Sequence, residues 1–151
     1  MTPNEKAFLD MLASSEGTAK LGDYGYNVLV GGQLFQSYAK HPGISVALPR
    51  KGQAPLYSTA AGRYQFKQST WNDLALRLKL SDFSPASQDA AALELVRERS
   101  ALEDVRAGRI PMAIAKCKNI WASLPGAGYG QHENSQDALL KVYQAAGGVL
   151  V

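Results

Sequence analysis

The chain has 151 residues, of which 46% are hydrophobic and 19% are charged, and its formal net charge is +3. This length is typical of one domain with its own core, and the small net charge excludes a disordered chain. Because the 16 basic and 13 acidic residues form no run, the pattern also excludes a nucleic-acid-binding tail and a polybasic membrane anchor. We therefore expect one folded domain over residues 1–151.

The first predicted element is a helix. Thr2, Pro3 and Glu5 are typical of a capped helix opening, in which the acidic residue completes a capping box. Apolar residues then recur at helical spacing as far as Glu16, and Gly17 provides a stop signal. We expect the helix to end at these two residues.

Two irregular segments follow. Residues 24–35 contain two β-prone runs around Gly31-Gly32, a pair that tolerates the positive φ angles of a tight hairpin, so we expect a small β-hairpin there. Residues 41–59 contain three prolines and two glycines, which indicates a segment that is mainly loop. One strand is predicted within it, at residues 45–48.

The rest of the chain is predicted to be helical. Apolar spacing, prolines and glycines indicate helices over residues 71–78 and 85–99, followed by a short helix that ends at residue 108. A further helix is predicted from residue 111 to a point before Pro125, and a last one over residues 139–146. The predicted fold class is α+β, mostly helical, with a small antiparallel sheet after the first helix.

The single Cys117 cannot close an intrachain disulfide, which favours folding in a reducing compartment. The N-terminal residues lack the basic start and the apolar core of a signal peptide, and no run approaches the roughly 18 apolar residues of a membrane-spanning helix. We expect a signal-independent protein without stable membrane insertion. A monomer is expected, because no helix carries a second apolar stripe.

Glu16 is the most informative residue, because its helical spacing from Phe8 and Leu12 places a carboxylate on the face expected to be buried. Burial and the negative end of the helix dipole both raise the pKa of a carboxyl group, so Glu16 could act as a general acid. The alternative is an exposed acid at a frayed helix end.

Glycine-spaced tyrosines suggest a saccharide ligand. Tyr24 and Tyr26 follow SEG, and tyrosine is paired with glutamine in AGRYQ and GAGYGQ. An aromatic ring covers the apolar face of a sugar, and an amide can hydrogen-bond its hydroxyls. The alternative is that tyrosines such as Tyr64 and Tyr143 are core residues.

Several motifs together resemble the bacteriophage lambda lysozyme family of endolysin-type lytic transglycosylases. They are SEG, GGQLF, TAAGRYQF, DFSPASQDAAAL and NIWASLPGAGYGQ, and the resemblance spans nearly the whole chain. It implies a lysozyme-like fold that cleaves the β-1,4 bond between N-acetylmuramic acid and N-acetylglucosamine in peptidoglycan. It also implies synthesis in the host cytoplasm, holin-dependent access to the wall, and action in the periplasm.

The resemblance places Glu16 at the position of the family's catalytic acid. It implies a substrate-binding role for five further residues, and no metal or other cofactor. These residues are Ser58, Tyr64, Gln65, Tyr129 and Gln131. The segments 41–58 and 126–130 resemble the two lips of the cleft, of which the first is the less family-like.

A lytic transglycosylase needs one carboxyl group, whereas ordinary glycosidases need two. The hypothesis is that Glu16 protonates the glycosidic oxygen and then accepts the proton of the muramic acid C6 hydroxyl, which leaves a 1,6-anhydromuramoyl end. Hydrolysis is the alternative, with Asp23 as the second carboxylate.

Two other classes of function compete with this interpretation. A zinc amidase could use His41, Cys117 and His132, although their spacing forms no close ligand motif. A glycan-binding module without catalytic activity would not explain Glu16, because binding gains nothing from a carboxylate on an apolar face.

Overall fold

A computed structural model describes residues 1–128 and 132–151. Its elements agree with the predicted α+β class, since most are helices and one small antiparallel sheet follows the first helix. In chain order they are α1 (Pro3–Ser15), β1 (Val46–Arg50), β2 (Gln53–Ser58), α2 (Gln68–Leu78), α3 (Pro85–Glu98), α4 (Leu102–Ala107), α5 (Ile110–Cys117) and α6 (Gln136–Ala145).

The chain divides into two compact units. One comprises Met1–Gly17 and Ala92–Val151, and the other comprises Thr18–Ala91. The expectation of one domain over residues 1–151 stays a prediction. No helix in the described part of the chain is both long and apolar enough to cross a membrane.

Helix α1 begins with the predicted capping box. The Thr2 hydroxyl accepts the Glu5 backbone N–H at 3.1 Å, and the Glu5 carboxylate accepts the Thr2 backbone N–H at 2.9 Å. The second carboxylate oxygen of Glu5 accepts from Arg106 Nε at 2.6 Å and ties α1 to α4. The sequence pattern indicated the cap, but not this ion pair.

The helix also ends as predicted. Glu16 is its C-cap residue, and the Glu16 backbone N–H donates to the Leu12 carbonyl at 2.9 Å. Gly17 follows with φ +77°, a left-handed conformation that glycine adopts without the penalty of a side chain. Helix α1 packs against α4 and α6, and this packing forms the core of the first unit.

The hairpin predicted at residues 24–35 is formed only in part, although Gly31 and Gly32 both have the predicted positive φ. Residues 24–35 form only the isolated bridge Val28↔Leu34, because Val28 and Leu29 also pair with residues 61 and 62. The sheet lies in the segment predicted to be mainly loop. The one strand predicted there, at residues 45–48, is confirmed by β1, which pairs antiparallel with β2 from Val46↔Ser58 to Arg50↔Gln53.

Two features let a proline-rich segment form this hairpin. Pro49 lies where the register shifts between Leu48 and Arg50, so its missing N–H falls at an irregularity in the ladder. In a two-stranded ribbon each strand also keeps one unpaired edge, where a proline such as Pro55 costs little. The prolines are therefore compatible with this two-stranded sheet.

Helix α5 is shorter than predicted. It ends at Cys117, and the following turns are tightened by a hydrogen bond from Ile120 N–H to the Cys117 carbonyl at 2.9 Å. Trp121 therefore lies beyond the helix, although it is buried as the apolar spacing suggested. Helices α2, α3, α4 and α6 confirm the remaining predictions to within a few residues at each end.

Candidate active site

Glu16 lies at the point where the backbone leaves α1. The residue is half-buried, and burial raises the pKa of its carboxyl to about 7 from an ordinary value of 4.5, although a hydrogen bond from Ser123 opposes this shift. The C-terminal end of the helix dipole also disfavours a negative charge there. The predicted direction of the pKa shift is thus confirmed, and burial is its main cause.

A small polar network surrounds this carboxyl. Ser123 Oγ lies 3.1 Å from Glu16 Oε2 and 2.8 Å from Ser15 Oγ. Asn134 Nδ2 lies 3.0 Å from the Ser15 carbonyl oxygen, 3.2 Å from Ser15 Oγ and 3.3 Å from the Ser123 carbonyl oxygen. All four residues belong to the first compact unit.

Sequence reasoning missed three members of this network. Ser15 lies within SEG and Ser123 within NIWASLPGAGYGQ, so both were in motifs that carried the resemblance, but a serine has many ordinary roles. Asn134 had no signal in the sequence. Its partner Ser15 is 119 residues away, and only folding brings the two together.

The loop after Ser123 is held by another acidic residue. The Glu133 carboxylate accepts the backbone N–H groups of Gly126 at 3.0 Å and of Gly128 at 2.9 Å, and these bonds keep the pKa of Glu133 below its usual value. The predicted substrate-binding residues Tyr129 and Gln131 lie outside the described residues, so their roles stay predictions.

Two of the other predicted binding residues are half-buried in the second unit. Ser58 ends β2, and its hydroxyl accepts the Ala60 backbone N–H at 3.2 Å. Gln65 has φ +56°, and its side-chain amide donates to the carbonyls of Gly62 at 2.9 Å and Val28 at 3.3 Å. Both side chains thus hydrogen-bond backbone groups of the second unit, and their contact with substrate stays a prediction.

Tyr64, by contrast, is a core residue with 1% of its surface exposed. Its hydroxyl donates to Asp89 Oδ1 at 2.6 Å and accepts from Arg63 Nη1 at 3.1 Å, and burial raises its pKa. Tyr26 donates to the same Asp89 oxygen at 2.9 Å. The core position argues against direct contact between Tyr64 and substrate, although that role also stays a prediction.

The motifs AGRYQ and DFSPASQDAAAL meet in the second unit. Gln88 is completely buried, accepts the Arg63 backbone N–H at 2.9 Å, and donates to the carbonyls of Tyr26 at 3.0 Å and Phe83 at 2.9 Å. Gly62 lies against this amide with φ +83°. The two motifs therefore support each other.

The second carboxylate considered for hydrolysis, Asp23, lies in a loop of the second unit. Its Oδ2 accepts from the Tyr38 hydroxyl at 2.8 Å, and its backbone N–H donates to Asn27 Oδ1 at 2.8 Å. Among the described residues, Ser123 is the side chain that hydrogen-bonds the Glu16 carboxyl.

Two of the three residues considered for zinc are poorly suited to bind a metal. His41 uses both ring nitrogens, with Nε2 2.8 Å from the Phe66 carbonyl oxygen and Nδ1 accepting the Gly43 backbone N–H at 3.0 Å. Cys117 is fully buried, which raises the pKa of its thiol to about 12. Over residues 1–128 and 132–151, no three His, Cys, Asp or Glu residues form a possible metal-binding group.

Comparisons with known proteins identify the family. A family model described as endolysin matches residues 6–150. The endolysin of Escherichia phage lambda is 51% identical over 149 residues, which cover 96% of this chain and 92% of the relative. The endolysin of Escherichia phage P2 is 49% identical over 158 residues, which cover 97% and 94%.

Solved structures agree with this result. Bacteriophage lambda lysozyme complexed with a chitohexasaccharide superposes with a TM-score of 0.94 at 49% identity, covering 100% of this chain and 98% of that one. A second structure of lysozyme from bacteriophage lambda gives a TM-score of 0.89 at 48% identity, with the same coverage. The chain therefore belongs to the endolysin family, has the lambda lysozyme fold, and is a lysozyme-type enzyme that degrades bacterial peptidoglycan.

Proposed function

We propose that this endolysin is a lytic transglycosylase and that Glu16 is its catalytic acid and base. The observation that carries the proposal is a carboxyl group with a pKa of about 7, held at the end of α1 by a serine hydroxyl. Near neutral pH such a group is present in both protonation states, as a residue that first gives and then takes a proton requires. The resemblance in the motif SEG supports the same assignment, because it implies that Glu16 is the family's catalytic acid.

The reaction consumes no water. Protonated Glu16 donates its proton to the glycosidic oxygen between N-acetylmuramic acid and N-acetylglucosamine, and the bond from this oxygen to muramic acid C1 breaks. The C6 hydroxyl oxygen of the same muramic acid then bonds to C1, and its proton returns to Glu16. The products are a 1,6-anhydromuramoyl end and a free C4 hydroxyl on N-acetylglucosamine.

The substrate assignment is supported by the related structure that holds a chitohexasaccharide, a β-1,4-linked chain of N-acetylglucosamine. This ligand has the backbone linkage of peptidoglycan glycan strands. We propose that such strands are the binding partner here and that the reaction needs no cofactor.

The test of the catalytic residue is Glu16→Gln, which keeps the size and polarity of the side chain but has no acidic proton. We expect a loss of at least a hundredfold in the rate at which purified peptidoglycan is cleared, in line with the usual contribution of a general acid. Asp10→Asn is the matched control, because it makes the same change on α1 at a residue paired with Lys6. Full clearing by the Glu16→Gln variant would refute the assignment.

The reaction type is tested separately by mass spectrometry of digested peptidoglycan. Transglycosylation yields muramoyl ends lighter by one water than the reducing ends that hydrolysis yields. We expect only anhydro ends, both from the natural protein and from the Asp23→Asn variant. Reducing ends that disappear in Asp23→Asn would instead establish hydrolysis with two carboxylates.

We also propose that the protein acts as a monomer, is made in the host cytoplasm and reaches the wall only when a holin opens the inner membrane. Cells that express it alone should then stay intact and lyse after chloroform treatment. Lysis without membrane damage would contradict this route.

A further inference from the structure

In the network around Glu16, the donor and the acceptor of each hydrogen bond can be assigned. The Asn134 side-chain nitrogen faces the backbone carbonyl oxygens of Ser15 and Ser123 at 3.0 and 3.3 Å. A carbonyl oxygen can only accept a hydrogen bond, so the atom facing both must be the NH₂ group and not the amide oxygen. Asn134 therefore presents a donor to Ser15 Oγ, which lies 3.2 Å away.

This donor determines the orientation of the two hydroxyl groups. Among the described residues, Ser15 Oγ has hydrogen bonds only with Asn134 Nδ2 and Ser123 Oγ. Because Nδ2 cannot accept, the Ser15 hydroxyl proton points to Ser123 Oγ, at 2.8 Å. Ser123 then uses its own proton for Glu16 Oε2, at 3.1 Å.

The direction matters for the chemistry of the carboxyl group. A proton on Oε2 would face the proton of Ser123. To relieve that conflict, the Ser123 hydroxyl would have to turn its proton away from Glu16, where no described residue accepts it, because the Asn134 donor keeps the Ser15 proton directed at Ser123 Oγ. Oε1 has no hydrogen-bond partner among the described residues. The proton of neutral Glu16 is therefore favoured on Oε1, away from the serine chain.

We propose that Asn134 and Ser15 are positioning residues that orient the Ser123 hydroxyl towards Oε2 of Glu16 and so keep the transferable proton on Oε1. This inference rests on the proposed function for its catalytic meaning, but the hydrogen-bond chain can be tested without activity. No ion pair in the described part of the chain involves Glu16. The experiment therefore has to separate two influences on the Glu16 pKa, the hydrogen bonds of the serine chain and burial.

The experiment is an NMR titration of ¹³C-labelled glutamate carboxyl groups in the free protein, with Glu16→Gln to assign the signal. A hydrogen bond donated to a carboxylate favours the ionised form, so Ser123→Ala should raise the Glu16 pKa by about one unit. Ser15→Ala should raise it by less, because Ser123 keeps its proton but loses its fixed direction.

The decisive measurement is the double variant. If Ser15 acts only through Ser123, the Ser15→Ala, Ser123→Ala variant should show the pKa of Ser123→Ala alone. Additive shifts, or an unchanged pKa in either single variant, would overturn the proposal. Ser14→Ala is the matched control, since it removes the neighbouring hydroxyl of α1, which has no hydrogen bond in the described structure, and should leave the pKa unchanged.

A second variant protects the test against misfolding. Asn134→Ala should also raise the Glu16 pKa, and its effect should likewise vanish when Ser123 is alanine. If Ser15→Ala loses its native circular dichroism spectrum, the titration of Asn134→Ala replaces it as the test of the hydrogen-bond chain. Failure of the proposed function is recognised independently, by full peptidoglycan clearing with Glu16→Gln, whereas failure of this inference appears only in the titration.

Discussion

At the residue scale, the raised pKa of Glu16 has a cost in stability. Between pH 4.5 and about 7 the folded protein retains a proton that the unfolded chain has released. The free energy of unfolding therefore falls as the pH rises through this window, by at most about 3 kcal/mol, and the cost is complete above it. The fold thus maintains a protonatable carboxyl group at a cost in its own stability.

This cost predicts that Glu16→Gln is stabilising at high pH. Glutamine cannot ionise, and its carbonyl can still accept from Ser123, so we expect unchanged stability at pH 4.5 and a gain of up to about 3 kcal/mol at pH 8. Urea unfolding at the two pH values measures the difference, with Asp10→Asn as the control. A gain of equal size at both would show that ionisation is not its cause.

Gly62 is a second residue whose identity the fold requires. A Cβ built on it would overlap Gln88 Oε1 and lie 2.8 Å from Phe83 Cζ, and both neighbours are fully buried. Its positive φ adds a penalty for any other residue.

We predict that Gly62→Ala lowers the free energy of unfolding by about 2–4 kcal/mol, from overpacking together with backbone strain. Gly52→Ala separates the two causes, because Gly52 has φ +72° but a Cβ at that position would have nothing within 4 Å. This control should lose only about 1 kcal/mol. Equal losses in urea unfolding would mean that the contact with Gln88 and Phe83 is unimportant.

At the scale of elements, α1 is the helix on which the site depends, because its last turn carries Ser15 and its C-cap is Glu16. The opening of this helix was predictable, since a capping box is a local pattern with a local cause. Its end was also predictable from Gly17. The hairpin was not, because strand pairing depends on which distant backbone groups compete for each N–H and C=O.

The capping box makes a measurable contribution. Thr2→Ala removes the hydroxyl that accepts the Glu5 N–H, and we expect a loss of about 1 kcal/mol in the free energy of unfolding. Thr70→Ala, an exposed change in the first turn of α2, should have little effect. Chemical denaturation measures both variants, and a harmless Thr2→Ala would mean that the Glu5–Arg106 pair alone secures the helix start.

At the scale of the whole molecule, buried acidic groups make the fold sensitive to acid. Asp104 accepts hydrogen bonds from Lys116 Nζ at 2.6 Å and Arg109 Nε at 2.8 Å, and these partners lower its pKa below 3.8. Burial alone would raise the pKa of Glu5, but Arg106 and the Thr2 N–H lower it overall.

We therefore predict that the free energy of unfolding declines below about pH 4. As the pH falls, these carboxylates take up protons in the unfolded chain before they do so in the folded protein. The stabilisation from a lowered pKa is complete above the unfolded value and is lost as the pH falls through the folded one. Asp104→Asn should reduce the slope of stability against pH between 3 and 5, measured by thermal unfolding. Asp73→Asn, at an exposed pair with Arg77, should leave that slope unchanged.

The sequence by itself determined the fold class, the capped helix that ends at Glu16, and the motifs by which the family is recognised. These depend on helical periodicity, on glycine and proline at helix ends, and on the order of short motifs, all of which are local. Only the tertiary structure showed which side chain hydrogen-bonds the Glu16 carboxyl, since Ser123 is 107 residues away in the chain. Hydrogen bonds between distant residues form only when the chain packs, so they leave no periodic trace in the sequence, whereas the burial of Glu16 follows from its helical spacing.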